Sequence, residues 1–414
     1  MDLRTPDRGP TRARASKPDQ EGFDLDAAIV EVVSRGAVKV PPYPAVALKV
    51  EKLVKSDDYA LDALAKLVAS DQVLAADALR VANSAFYARG TPVISLNGAI
   101  TRIGGREMAR LAVASGLGAQ ARKPGPLAAL KRRCWLEGLA SAALCQELAR
   151  QRQVDGEEAF VCGLLHDFGR MIAVACVEEI VEQHPDQAPM PLDHWLAVVD
   201  RYHVELGLVL AAKWDLPPIV SDTISLHHAD DWRGAVEPRM VELVAASDEV
   251  VRLLGESIFL TPEDLGAISL LSAQECELVS RVLDRLPAFI ASFDGDGSAA
   301  PAGKSLVEPE QAPEEVATGP TPVDFPVVVA VGREKREYRA MGIATSNLMI
   351  NGPAQLPENV LLQIEMRSEH PISCWATAKL SWPEGEGHTV LLQPFALNGR
   401  AHDVWKDLLR KTTA

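Results

Sequence analysis

The chain reads as a multidomain protein, with an all-α helical bundle over residues 28–292 and a small β-barrel domain over 324–413. Three observations predict this. Apolar residues recur at helical spacing as far as about residue 292, with no strand-like run among them. Residues 294–323 then hold five prolines, four glycines, six acids, one lysine and no aromatic residue, the composition of a flexible acidic linker. Beyond it the apolar period shortens towards two.

The bulk properties agree. At 414 residues, 47% hydrophobic and 24% charged, the chain can bury at least one large core and divide into domains. A net charge of -15 argues against general nucleic-acid affinity. The six cysteines never form a CxxC motif, so they read as buried thiols of a reducing compartment. The first twenty residues lack a signal peptide's apolar core, and no run approaches the roughly 18 apolar residues of a membrane span. A cytoplasmic protein without membrane contact is expected.

In chain order, residues 1–22 are an arginine- and proline-containing arm expected to be disordered. The N-terminal helical half, 28–120, opens with a helix over 25–34 that Pro41, Pro42 and Pro44 separate from the next. Helices follow near 45–55, 59–69, 71–83, 96–103 and 105–116. The second half, 125–292, predicts helices near 128–150, 156–166, 191–197, 202–214, 218–228, 238–254 and 273–290. After the linker, 325–331, 360–366, 374–382 and 389–395 read as strands, four or five being expected in all, and 402–410 as a closing helix.

Candidate metal ligands cluster in the second half. Glu137 follows Trp135 on a helix, and His166-Asp167 end the next one before Gly169. His203 is placed at a helix start, His227-His228 at a helix end, and Asp248 among small residues. Imidazole and carboxylate both suit first-row divalent ions. Four or more helix ends could gather these groups around one or two ions, bridged by the central aspartate and able to activate water. Neighbours on a helix point about 100° apart, so His227 and His228 serve one ion only if the helix unwinds there. Each group also has a plain structural reading, as a helix cap, a local hydrogen bond or a solvated side chain.

Residues 38–120 resemble the N-terminal half of the HDOD family, through Pro44, Asp71 and the run from Ala78 through Asn83, Ser84 and Phe86 to Tyr87. Residues 135–250 continue the resemblance through Phe160 to Gly169, Gly207, Trp214 to Pro217, and His227-His228. It implies an all-helical relative of HD-type metal-dependent phosphohydrolases, acting in bacterial signalling as a regulatory module without established catalysis. The HD-type pattern implies metal ligands at Glu137, where it expects histidine, at His166-Asp167 and at Asp248. The two-metal phosphodiesterases add histidines that His203, His227 and His228 match. Their Gly-Tyr-Pro signature is missing after His228, so no turnover is expected.

Residues 324–414 resemble a PilZ domain, which implies a barrel that binds cyclic di-GMP. Arg333, Arg336 and Arg339 lie three apart, and guanidinium forks suit phosphate oxygens. The polar motif that should follow them, here Thr345 to Gly352, has altered spacing. Three functions stay open: a scaffold that binds signalling proteins, a metal-dependent cyclic-dinucleotide phosphodiesterase, and a cyclic di-GMP receptor. For docking, Phe86 and Tyr87 offer an aromatic pair, or else seal the junction between the two helical halves.

Overall fold

The computed structural model describes residues 25–56, 59–84, 87, 91–184, 189–256, 260–294, 321–331, 334–356, 361–384, 387–395, 397 and 399–411. The predicted N-terminal arm and nearly all of the linker lie outside them.

The helical part begins with α1 (Leu25–Ser34), α2 (Ala45–Val54), α3 (Leu61–Ala69), α4 (Gln72–Asn83), α5 (Leu96–Ile103) and α6 (Gly105–Ala121). Asp71 starts α4 by accepting from the amides of Val73 and Leu74, and Ser95 starts α5 by accepting from Gly98. Next come α7 (Ala128–Arg152), α8 (Gly156–Leu165), α9 (Gly169–Glu182), α10 (Leu192–Trp214), α11 (Pro218–Leu226) and α12 (Pro238–Glu256). The short α13 (Pro262–Ala267), α14 (Ala273–Leu283) and α15 (Leu286–Asp294) close this part. Capping boxes at Thr261/Asp264 and Ser272/Glu275 fix the starts of α13 and α14. One apolar core runs through the helices from Ile29 to Phe293, with Trp195 and Phe160 fully enclosed.

Four expectations are corrected. Helix α8 ends at Leu165 as expected, but a further helix, α9, starts at Gly169, where none was expected. Glycine lacks the Cβ that would block the crossing there, so it opens a helix as well as closing one. The two helices expected over 191–197 and 202–214 are one, because nothing between Leu196 and Tyr202 breaks the apolar spacing. The helix expected over 273–290 is two, with a turn at Asp284-Arg285 just before Pro287. Finally, Gly156–Glu182 does contain an 18-residue window apolar enough for a membrane span, but 83% of that window is buried in the bundle.

Among the described residues, the C-terminal part is a closed antiparallel barrel of six strands, one or two more than expected. They are β1 (Thr321–Val331), β2 (Glu334–Ile343), β3 (Leu348–Gly352), β4 (Leu361–Met366), β5 (Ile372–Glu384) and β6 (Gly387–Phe395), in the spatial order β1-β2-β3-β6-β5-β4. Pairing of β1 with β4 closes the ring and removes both edges. Alternate residues such as Val327, Val329, Ile364, Met366, Cys374 and Ala376 fill it. Helix α16 (Gly399–Lys411) sends the fully buried Trp405 to the barrel, its indole N–H donating to the Thr345 carbonyl at 3.2 Å. Trp375 and Phe395 pack outward against the helical core.

Candidate metal centre

Six of the seven predicted ligands meet in two groups that share His227. Asp167, His203, His227 and His228 each place one ligand atom within 4.8 Å of the others, as do His166, His227 and Asp248. Glu137 stands outside both groups, accepting from Arg133 Nε at 2.9 Å and from Arg170 Nη1 at 3.2 Å.

Local structure explains the convergence. Asp155 caps the start of α8, and the chain turns through His166, Asp167 and Phe168 into α9. A Cβ at Gly169 would collide with the His203 carbonyl and stand 2.7 Å from the Gly207 nitrogen. That backbone-to-backbone approach brings the middle of α10 to Asp167, with His203 Nε2 3.3 Å from Asp167 Oδ1. Helix α11 ends at Leu226, whose carbonyl accepts from the Trp232 indole at 3.0 Å. His227 and His228 lie in the turn that follows, so both reach one group, as the unwinding condition required.

Hydrogen bonding orients the rings. His166 Nδ1 lies 2.9 Å from the Gly163 carbonyl, and His227 Nδ1 lies 2.9 Å from that of Thr223. His203 Nδ1 meets the Asp200 carbonyl in the same way. A carbonyl only accepts, so each neutral ring carries its proton on Nδ1 and turns an Nε2 lone pair inward. His203 Nε2 then faces His227 Nε2 at 3.4 Å and His228 Nε2 at 3.2 Å, and Asp167 Oδ1 lies 3.3 Å from His227 Nε2. Oδ1 is buried without a hydrogen-bond partner. A proton on one ring could bridge a single pair, whereas a cation relieves every repulsion at once. The residues therefore fit a divalent ion, with His228 on the solvent side.

The other oxygen of Asp167 is committed. Arg170, three residues on, places Nη1 2.9 Å from Oδ2 while also pairing with Glu137 and, through Nε at 2.7 Å, with Asp200. Burial alone would raise the Asp167 pKa, but His166 and Arg170 outweigh it and hold the carboxyl well below its usual range. Burial lowers His203 further than Asp167 raises it, so that ring stays neutral more readily. His166 is the opposite case: burial opposes its charge, yet Asp167 and Asp248 outweigh burial and raise it. Its Nε2, 3.5 Å from Asp248 Oδ1, thus favours a proton where the other group favours a cation. Arg170 had escaped sequence reading; its only signal was the spacing of three from Asp167.

In the barrel, the half-buried Arg336 pairs with the exposed Glu334 at 2.9 Å and the exposed Arg339 with Asp324; Arg333 lies outside the described residues. Asn347 donates to Ser346 and Asn351 to Thr389. Phe86 is likewise outside, while Tyr87 packs against the helical core and donates to Glu107 at 2.8 Å.

A family model of the HDOD domain matches residues 40–230. An uncharacterized protein of Treponema pallidum (strain Nichols) is 23% identical over 269 residues, which are 63% of this chain and 51% of that protein. The chain thus spans about half the length of that curated relative. Among solved structures, one from Shewanella amazonensis SB2B, provisionally described as a metal-dependent phosphohydrolase, is 20% identical with a TM-score of 0.52. The likeness covers 65% of this chain and 98% of that one. An HDOD domain protein of unknown function from Geobacter sulfurreducens is 22% identical with a TM-score of 0.49, covering 65% and 97%. The first of these structures shares the helical fold.

Proposed function

We propose that this HDOD-domain protein is a regulatory binding module of bacterial signalling, whose histidine cluster takes one divalent ion and hydrolyses no phosphodiester. The observation that carries this is the division of labour within Asp167. Its Oδ1 faces the imidazole nitrogens of His203 and His227, while its Oδ2 is held by Arg170. An aspartate bridging two ions must offer an oxygen to each, so the guanidinium stands in the way of a paired-ion centre. Asp167, His203, His227 and His228 would hold the ion. Once bound, an ion of this kind supplies Lewis acidity towards water or an oxyanion. Arg170 positions the carboxylate, and the Gly163, Asp200 and Thr223 carbonyls fix the rings. The missing Gly-Tyr-Pro signature supports the same reading, in which the output is docking to other signalling proteins.

Metal analysis of the full chain, purified without chelator, tests this together with incubation with cyclic di-GMP and Mn²⁺. One ion per chain, lost in His227→Ala, and an intact dinucleotide are expected. Two ions per chain with hydrolysis that disappears in Asp167→Ala would promote the phosphodiesterase instead.

A further inference from the structure

A cleft of about 150 Å³ lies between the helical bundle and the barrel. Leu136 and Leu254 line it from α7 and α12, and Pro394 and Phe395 from β6. Each domain also contributes a cation, Arg133 from the bundle and Lys379 from the barrel. The cleft is lined too by Glu137, which with Asp193 already pairs with Arg133, so an incoming carboxylate competes for that guanidinium. Position 255 is glycine, and a Cβ there would stand 3.5 Å from Arg133 Nη2. A methyl group there would only touch the guanidinium, whereas a longer side chain would reach across it.

We propose that this cleft binds a compact molecule with an apolar body and one carboxylate, and that its occupancy is transmitted to the metal centre. The volume sets the size, since a cavity of roughly 150 Å³ admits a benzene ring. The lining sets the chemistry: leucine, proline and phenylalanine take the apolar body, and a guanidinium fork beside an ammonium suits a carboxylate. The link to the metal centre is a chain of ion pairs. Arg133 Nε holds Glu137 Oε1 at 2.9 Å, Glu137 Oε2 holds Arg170 Nη1 at 3.2 Å, and Arg170 Nη1 holds Asp167 Oδ2 at 2.9 Å. A carboxylate that draws on Arg133 leaves Glu137 to draw harder on Arg170. The hold of Arg170 on Asp167 then weakens, and the aspartate becomes a stronger ligand. This second half rests on the metal reading above; the cleft itself does not.

The test uses the full chain, with benzoate, benzyl alcohol and benzylammonium as probes followed by ligand-observed NMR and calorimetry. Benzoate binding at least ~10-fold tighter than the other two is expected, the size of effect a charge-assisted pair contributes. Gly255→Leu places a side chain in the cleft, suits a helix better than glycine, and should abolish benzoate binding without lowering the melting temperature. Saturating benzoate should tighten Mn²⁺ binding at least ~5-fold, and Mn²⁺ should tighten benzoate by the same factor; neither shift should occur in Gly255→Leu. No benzoate binding, or binding undiminished in Gly255→Leu, overturns the site. Benzoate binding that leaves Mn²⁺ affinity unchanged overturns the link. Failure of Mn²⁺ to bind at all removes the metal reading and the link with it, while the benzoate titration still decides the cleft.

Discussion

Asp77 on α4 and Asp167 before α9 are built alike and used differently. Both are buried, and both have an arginine three residues on that grips one carboxylate oxygen. In the N-terminal half the second oxygen of Asp77 accepts from the Ser115 hydroxyl, and Arg80 goes on to the Ser292 carbonyl at 3.1 Å. Both oxygens of Asp77 have a partner, and the network ties α4 to α6 and α15. In the second half the remaining oxygen of Asp167 meets only imidazole nitrogens that are themselves lone-pair donors. A buried carboxylate whose partners are all satisfied is part of the scaffold. One left facing other acceptors could coordinate a cation.

The sharpest separation comes from removing each aspartate. Asp77→Ala strands Arg80 and Ser115 and should cost about 3 kcal/mol in urea unfolding, while the folded fraction binds metal as before. Asp167→Ala should cost less, because Arg170 keeps Glu137 and Asp200, yet it should weaken metal binding at least ~100-fold by calorimetric titration, the scale of losing one ligand. If Asp77→Ala also abolished metal binding, the two networks would be one, and the contrast would fail.

Next in size is the crossing beneath the centre. Gly169→Ala forces a methyl group against the His203 carbonyl, and overpacking of this kind costs roughly 2 kcal/mol. It should also reduce metal affinity, since His203 is displaced from Asp167. A normal urea midpoint together with normal metal binding would show that this backbone approach does not set the ligand distance.

A pH series sharpens the electrostatic side. The unfolded chain protonates His203 near pH 6.5, whereas the folded pKa is lower. Below that pH the unfolded state binds the extra proton, and stability is lost as pH falls towards the folded value. Metal-free wild type should therefore lose stability relative to His203→Asn between pH 7.5 and 5.5. A stability difference that stays flat with pH would mean the ring is not held neutral. The smallest effect belongs to the barrel. Arg336→Ala and Arg339→Ala remove surface pairs with Glu334 and Asp324, and calorimetry should detect no change in melting temperature.

Much of the architecture was legible because it is written locally. Period 3.6 through residue 292, the proline-rich joint and period 2 thereafter require only neighbours in sequence, so an all-α part followed by a barrel could be read directly. His166-Asp167 stood out for the same reason, and the pairing of His227 with His228 carried its own condition, that the helix unwind. Gly169 could not be read so easily, because a glycine that ends one helix and a glycine that admits another look identical along the chain. His203 was misplaced to a helix start because its role depends on α9 lying against α10. Arg170 and Glu137 show the limit most plainly. Residue type made Glu137 a candidate ligand, and nothing in the sequence placed Arg170 between it and Asp167. Secondary structure follows from the periodicity of one segment, but which buried charges neutralise one another depends on distances between segments far apart in the chain. Only the packing of α7, α9 and α10 decided that one oxygen of Asp167 faces the His203 and His227 rings while the arginine on the other also reaches Glu137 and Asp200.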